Sequence, residues 1–83
     1  MENVVIAPAA ANALRRMQPK RAAAIMARIQ AYAADPAAPA HQVKRLQGRD
    51  GYRMRVGDFR VLFRHDGGTV TVLDIGPRGD IYK

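Results

Sequence analysis

The sequence predicts an α+β fold: a small antiparallel sheet in the order β-α-α-β-β-β, with room for one extra short strand, and two helices packed on one face. Three observations predict it. Residues 52–63 alternate apolar and basic side chains on both sides of Gly57-Asp58, the period-2 signature of half-buried strands joined by a tight turn. Residues 9–34 instead carry apolar side chains at helical spacing, in an alanine-rich stretch interrupted by Pro19. At 83 residues the chain has room for one core, so residues 1–83 are read as a single domain, with one sheet and one helical layer as the limit.

In chain order, Asn3-Val4-Val5-Ile6-Ala7 is a β-prone run that predicts a first strand beside a sheet edge. Pro8 ends it and suits the first turn of a helix, where a backbone N–H has no intrahelical partner. Ala9 to Met17 predicts a short helix with Ala10, Leu14 and Met17 along one stripe. Pro19 restarts the pattern, and up to Ala34 the residues Ala22, Ile25, Met26, Ile29 and Ala33 form an apolar stripe with Arg21, Arg28 and Gln30 facing away. Tyr32 is expected at a helix–sheet contact. Asp35-Pro36-Ala37-Ala38-Pro39 stops the helix. Val43-Lys44-Arg45-Leu46 then predicts a short strand, and Gln47-Gly48-Arg49-Asp50-Gly51 a turn.

Glycine at the first central position of Gly57-Asp58 suits a two-residue II′ turn, with I′ as the alternative. Such a turn sets Val56 against Phe59, Arg55 against Arg60, Met54 against Val61, Arg53 against Leu62 and Tyr52 against Phe63. Side chains alternate across a strand, so Tyr52, Met54, Val56, Phe59, Val61 and Phe63 share the core face. Arg53, Arg55 and Arg60 share the other. A second turn, at Asp66-Gly67 or at Gly67-Gly68, leads into Thr69-Val70-Thr71-Val72-Leu73-Asp74-Ile75. Strict alternation puts Val70 and Val72 on the apolar face, Thr71 and Leu73 on the arginine face, and Asp74 on the apolar face near the strand's end. Gly76-Pro77 is expected to break the strand.

Directly opposed like charges destabilise a sheet by roughly 0.2–1 kcal/mol. Selection for stability alone gives little reason to set Arg55 across from Arg60 with Arg53 two residues away. An anion bound between them removes the conflict. The plainer alternative is a solvated basic face in an arginine-rich chain.

Lys and Arg number 14 against 7 Asp and Glu, a formal net charge of +7. In so short a chain this points to an anionic partner, either nucleic acid or an acidic protein. Only Lys20, Lys44 and Lys83 are lysine; the rest is arginine, whose planar fork matches phosphate and stacks on bases. The absence of cysteine removes disulfides and thiolate metal sites, and with two histidines no metal or other cofactor is expected. Glu2 stands where a signal peptide would be positive, and no segment approaches the roughly 18 apolar residues of a membrane span. A cytoplasmic protein with no membrane association is the expectation.

Three blocks of the chain carry a resemblance: Val43-Lys44-Arg45-Leu46-Gln47-Gly48, then Tyr52 through Phe63, then Ile75-Gly76-Pro77-Arg78-Gly79-Asp80-Ile81-Tyr82. Together the pattern resembles the RelE/ParE superfamily of toxins from bacterial type II toxin–antitoxin systems, over nearly the whole chain. RelE-like toxins cut mRNA in the ribosomal A site, whereas ParE-like toxins poison DNA gyrase. The resemblance matches the two basic positions of the first hairpin strand to Arg53 and Arg55. It matches the arginine of the second strand to Arg60, the arginine after the last long strand to Arg78, and the near-terminal tyrosine to Tyr82. These five are the expected catalytic residues, with Lys44 and Arg45 as RNA contacts.

The activity so implied is a metal-independent endoribonuclease: an RNA 2′-hydroxyl attacks its own 3′-phosphate, leaving a 2′,3′-cyclic phosphate and a 5′-hydroxyl. Arginines hold the phosphate and stabilise charge on its oxygens, with Arg60 and Arg78 as the clamp and Tyr82 stacking on a base or positioning the hydroxyl. Where the best-known RelE-like nucleases carry lysines, this chain has Arg53 and Arg55, and a guanidinium is a poor general base. The second class of function is a non-catalytic binder: a ParE-like gyrase inhibitor or an inert relative. Either way the resemblance implies an antitoxin that covers the basic face in a hetero-oligomer; the nuclease reading adds the ribosome and mRNA as partners. His41, in the crossover loop, and His65, at a distal turn, are read as histidines without a catalytic role.

Overall fold

In a computed structural model, which describes residues 3–38, 42–48 and 50–77, the chain forms β1 (Asn3–Ile6), α1 (Pro8–Arg16), α2 (Pro19–Ala34), β2 (Val43–Arg45), β3 (Tyr52–Val56), β4 (Phe59–Asp66) and β5 (Thr69–Pro77). The sheet order is β1-β5-β4-β3-β2. Strands β2 to β5 are antiparallel neighbours, and β2 is the extra short strand the sequence allowed. Strand β1 lies parallel to β5, Asn3 opposite Thr69 and Ile6 opposite Val72, so the sheet is mixed at that edge.

Both helices begin on proline, as expected from its fixed φ and missing donor. In α1, Ala10 is buried and Leu14 packs against the core, as does Met17 at the helix C-cap; Arg15 and Arg16 in the last turn complement the negative end of the helix dipole. In α2 the buried residues are Ile25, Ile29, Tyr32 and Ala33, at helical spacing along one stripe. They close over Met54, Val61, Phe63, Val70, Val72 and Ile75 on the inner face of the sheet. Tyr32 makes the expected helix–sheet contact, its ring edge-on to Phe63 at 4.8 Å. Its hydroxyl is hydrogen-bonded to His65 Nδ1 at 2.8 Å, which satisfies a buried polar group and ties His65 to the helical face.

The hairpin register is the expected one, from Val56 opposite Phe59 to Tyr52 opposite Phe63. Gly57 has φ +59 while Asp58 stays out of the left-handed region, which makes the turn II′. The second turn uses Gly67-Gly68, both with positive φ. A Cβ added at Gly57 would meet nothing within 4 Å, so Gly57→Ala is charged only for its backbone conformation. The expected cost is about 1–2 kcal/mol. A urea midpoint lowered by roughly 1 M, with an unchanged slope, would check it.

Strand β5 departs from expectation twice. It does not stop at Gly76, because Gly76 still pairs with Arg60 and Pro77 with Phe59. Beyond Val72 the strand has no neighbour on the β1 side among the described residues, and a strand edge of that kind tolerates a residue that lacks an N–H. The second departure is a bulge. Leu62 pairs with Asp74 but Phe63 pairs with Val72, leaving Leu73 as the extra residue. One inserted residue reverses the alternation, so Asp74 lies on the arginine face rather than the apolar face, and Ile75 opposes Val61 in the core at 3% exposure. The physical reason is direct. Strict alternation would bury a carboxylate and expose an isoleucine, and both are unfavourable.

Candidate functional site: arginines on the open sheet face

On the face away from the helices, the register aligns side chains in rows across the sheet. One row is Lys44, Arg53, Leu62 and Asp74; the next is Arg55, Arg60 and Gly76. The Arg55 N–H bonds outward to the Gln42 carbonyl at 3.4 Å, toward β2 rather than β4. Arg55 and Arg60 therefore form a non-hydrogen-bonded pair, the kind in which opposed Cα atoms come within about 4.5 Å and side chains are closest. Arg53 and Arg60 are half-buried, while Arg55 and Lys44 are exposed. The Nε of Arg60 is buried with no hydrogen-bond partner among the described residues. An unmet donor of this kind costs about 1–3 kcal/mol, more when charged, so its retention calls for a ligand or a role.

These side chains surround a recess of about 330 Å³ lined by Gln42, Val43, Lys44, Arg53, Arg55 and Arg60. Gln42, at φ 55, is the one non-glycine residue in the left-handed region among those described, and it sits at this recess. Leu62 is 4% exposed although it faces away from the helical cluster, so the floor of the open face is dry between Arg53 and Asp74. Three guanidinium groups and an ammonium around one concavity suit a phosphate, with forked donors for its oxygens and a low-dielectric floor that strengthens the attraction.

Of the residues expected at the site, Arg53, Arg55, Arg60 and Lys44 meet. Arg45 does not. It pairs with Tyr52, whose side chain belongs to the core face, and it lines a separate polar recess with Asp50, Arg64 and His65. Adjacent residues of a strand point to opposite faces, so Lys44 and Arg45 were bound to separate once they were in a strand. Arg78 and Tyr82 lie outside the described residues, as does His41. Arg21 stays on the helical side, its guanidinium 5.1 Å from the Phe59 ring centroid in a cation–π contact. Sequence reasoning missed Gln42 and Asp74. Nothing local signalled Gln42. Asp74 did carry a signal, since alternation assigned a charged residue to the core.

A helical pair over a five-stranded sheet is also the fold of solved toxin–antitoxin proteins. A chain of the RelBE2 toxin–antitoxin complex from Mycobacterium tuberculosis superposes with a TM-score of 0.78 at 23% identity, covering 93% of this chain and 98% of that one. A chain of the archaeal RelE–RelB complex from Pyrococcus horikoshii gives 0.77 at 24% identity over 95% and 97%. The isolated RelE toxin from Escherichia coli gives 0.74 at 17% identity over 99% and 92%. At these identities the likeness is one of fold. No curated protein shows a significant match. The family model for the ParE toxin of type II toxin–antitoxin systems, parDE, matches residues 4–82, and the chain belongs to that family. It is the toxin component of a type II toxin–antitoxin system. No helix among the described residues is long and apolar enough to cross a membrane.

Proposed function

We propose that this toxin is a ribosome-dependent endoribonuclease that cuts mRNA by attack of a 2′-hydroxyl on the adjacent phosphate. The carrying observation is the facing pair Arg55 and Arg60, with Arg53 and Lys44 beside it, around one recess on the uncovered side of the sheet. In this reading the scissile phosphate lies among the guanidinium groups, which grip two of its oxygens and offset the charge that grows there in the transition state. Removing one such preorganised donor typically costs 10²–10³ in rate. Arg78 and Tyr82 complete the set by their match to the RelE-like pattern. The same face is the natural seat of an acidic segment of the antitoxin, which would mask the arginines in a toxin–antitoxin hetero-oligomer; two of the similar chains above come from such complexes. The second reading is DNA gyrase inhibition, favoured by the ParE description of the matching family.

A translation reaction with labelled mRNA, run beside a gyrase supercoiling assay, separates the two. Codon-phased cleavage with unimpaired supercoiling is the expected result; blocked supercoiling with intact mRNA reverses the assignment. Binding offers an independent measure. If Lys44, Arg53, Arg55 and Arg60 each meet a phosphate, affinity for single-stranded RNA should fall with a log–log salt slope of roughly −3, at about −0.7 per contact. A slope near zero would remove the phosphate site.

A further inference from the structure

We propose that Asp74 is the group that accepts the proton from the attacking 2′-hydroxyl. The inference rests on the nuclease reading above and supplies what the arginines cannot, since a guanidinium has no proton-accepting form near neutral pH. It starts from the bulge. An extra residue at Leu73 turns Asp74 out of the core side and into the row that holds Arg53 and Lys44. Bulges concentrate beside active sites, where they re-aim a side chain. In the two rows that carry the cluster, Asp74 is the one carboxylate among the described residues.

Its surroundings fit the task. Gly76 faces Arg60 and contributes no side chain, so no β5 side chain at that position separates Arg60 from Asp74. Diagonal neighbours across antiparallel strands are roughly 7–8 Å apart, a span that a phosphate on Arg60 and its neighbouring 2′-hydroxyl can bridge. Asp74 is half-buried, and its Oδ1 accepts the Ile75 N–H at 2.8 Å, which fixes its orientation. A carboxylate has a second oxygen, and that oxygen meets the hydroxyl within the usual hydrogen-bond reach of about 2.6–3.2 Å. As O2′ bonds to phosphorus its proton passes to Asp74 and the P–O5′ bond breaks. The departing 5′-oxygen takes a proton from water. Asp74 then gives its proton to the hydroxide so formed, and the enzyme is returned to its starting state.

The test compares the wild type with Asp74→Asn, Asp74→Glu and Asp74→Ser in the translation reaction, with melting temperature and RNA affinity measured on each. Asparagine can still accept the Ile75 N–H but cannot accept the proton. The expected result is a 10²–10⁴-fold fall in kcat for Asp74→Asn and Asp74→Ser, with KM and RNA affinity unchanged and part of the rate kept by Asp74→Glu. Added formate should restore part of the Asp74→Ser rate by filling the vacated space with a small carboxylate. Should Asp74→Asn fail to fold, the formate response of Asp74→Ser decides. A folded Asp74→Asn that cleaves at the wild-type rate overturns the role of Asp74 and leaves the nuclease reading intact. Loss of rate with a raised KM and no formate response also overturns it, in favour of a structural role. A wild type that never cleaves mRNA overturns both.

Discussion

Arg60→Ala is expected to relieve the growth arrest caused by expressing the toxin while leaving the protein folded. Loss of this guanidinium takes one of the donors around the recess, and cleavage in the translation reaction should fall 10²–10³-fold. The effect on stability has the opposite sign from that of most truncations. Arg60 stands across from Arg55 and holds a buried Nε without a partner among the described residues, so alanine removes a like-charge opposition of roughly 0.2–1 kcal/mol and an unmet donor. The melting temperature should hold or rise. An arginine kept for the fold alone would show the reverse, a lower melting temperature with toxicity intact, and that outcome would remove Arg60 from the site.

Phe63→Ala is expected to do the opposite: abolish toxicity by unfolding the chain. Phe63 is 1% exposed and is among the largest fully buried side chains described. Its ring is edge-on to Tyr32 at 4.8 Å and stacked on Tyr52 at 5.6 Å, so it joins α2 to the central strands. Truncating a buried phenylalanine to alanine typically costs about 3–5 kcal/mol, against a total of about 5–15 kcal/mol for a whole domain. In a domain of this size each kcal/mol moves the midpoint by about 4–8 °C, so the expected drop in melting temperature is roughly 12–40 °C. Circular dichroism would read it. A drop of a few degrees would mean that the core repacks around the cavity, and that Phe63 does not hold the layers together. Set side by side, the two variants separate loss of the site from loss of the fold.

The hairpin from Tyr52 to Phe63 was legible residue by residue because its information is local. Alternation fixes which face each side chain takes, and Gly57 fixes where the chain reverses. The helices were legible for the same reason, through their stripes and the prolines that start them. The arginine cluster followed from parity alone. Arg45 parts from Lys44 by the same alternation that sorts the hairpin, since the two are adjacent in β2. The bulge at Leu73 was of another kind. The sequence around it keeps its β-prone character, and only an aspartate assigned to the core side signalled that the count had slipped.

What the sequence by itself determined, then, is each stretch whose partner lies a few residues away: two helices, two tight turns, and the gathering of Arg53, Arg55 and Arg60 on one side of a strand pair. What only the tertiary structure decided is whatever depends on partners far along the chain. The parallel docking of β1 on β5 joins residues more than sixty positions apart, and no local period encodes the direction of that pairing. The bulge, and with it the arrival of Asp74 beside the arginines, is decided where β5 must bury Ile75 against Val61 under the helices. Core packing favours the apolar residue inside, the backbone takes up the extra residue, and the carboxylate is carried to the open face.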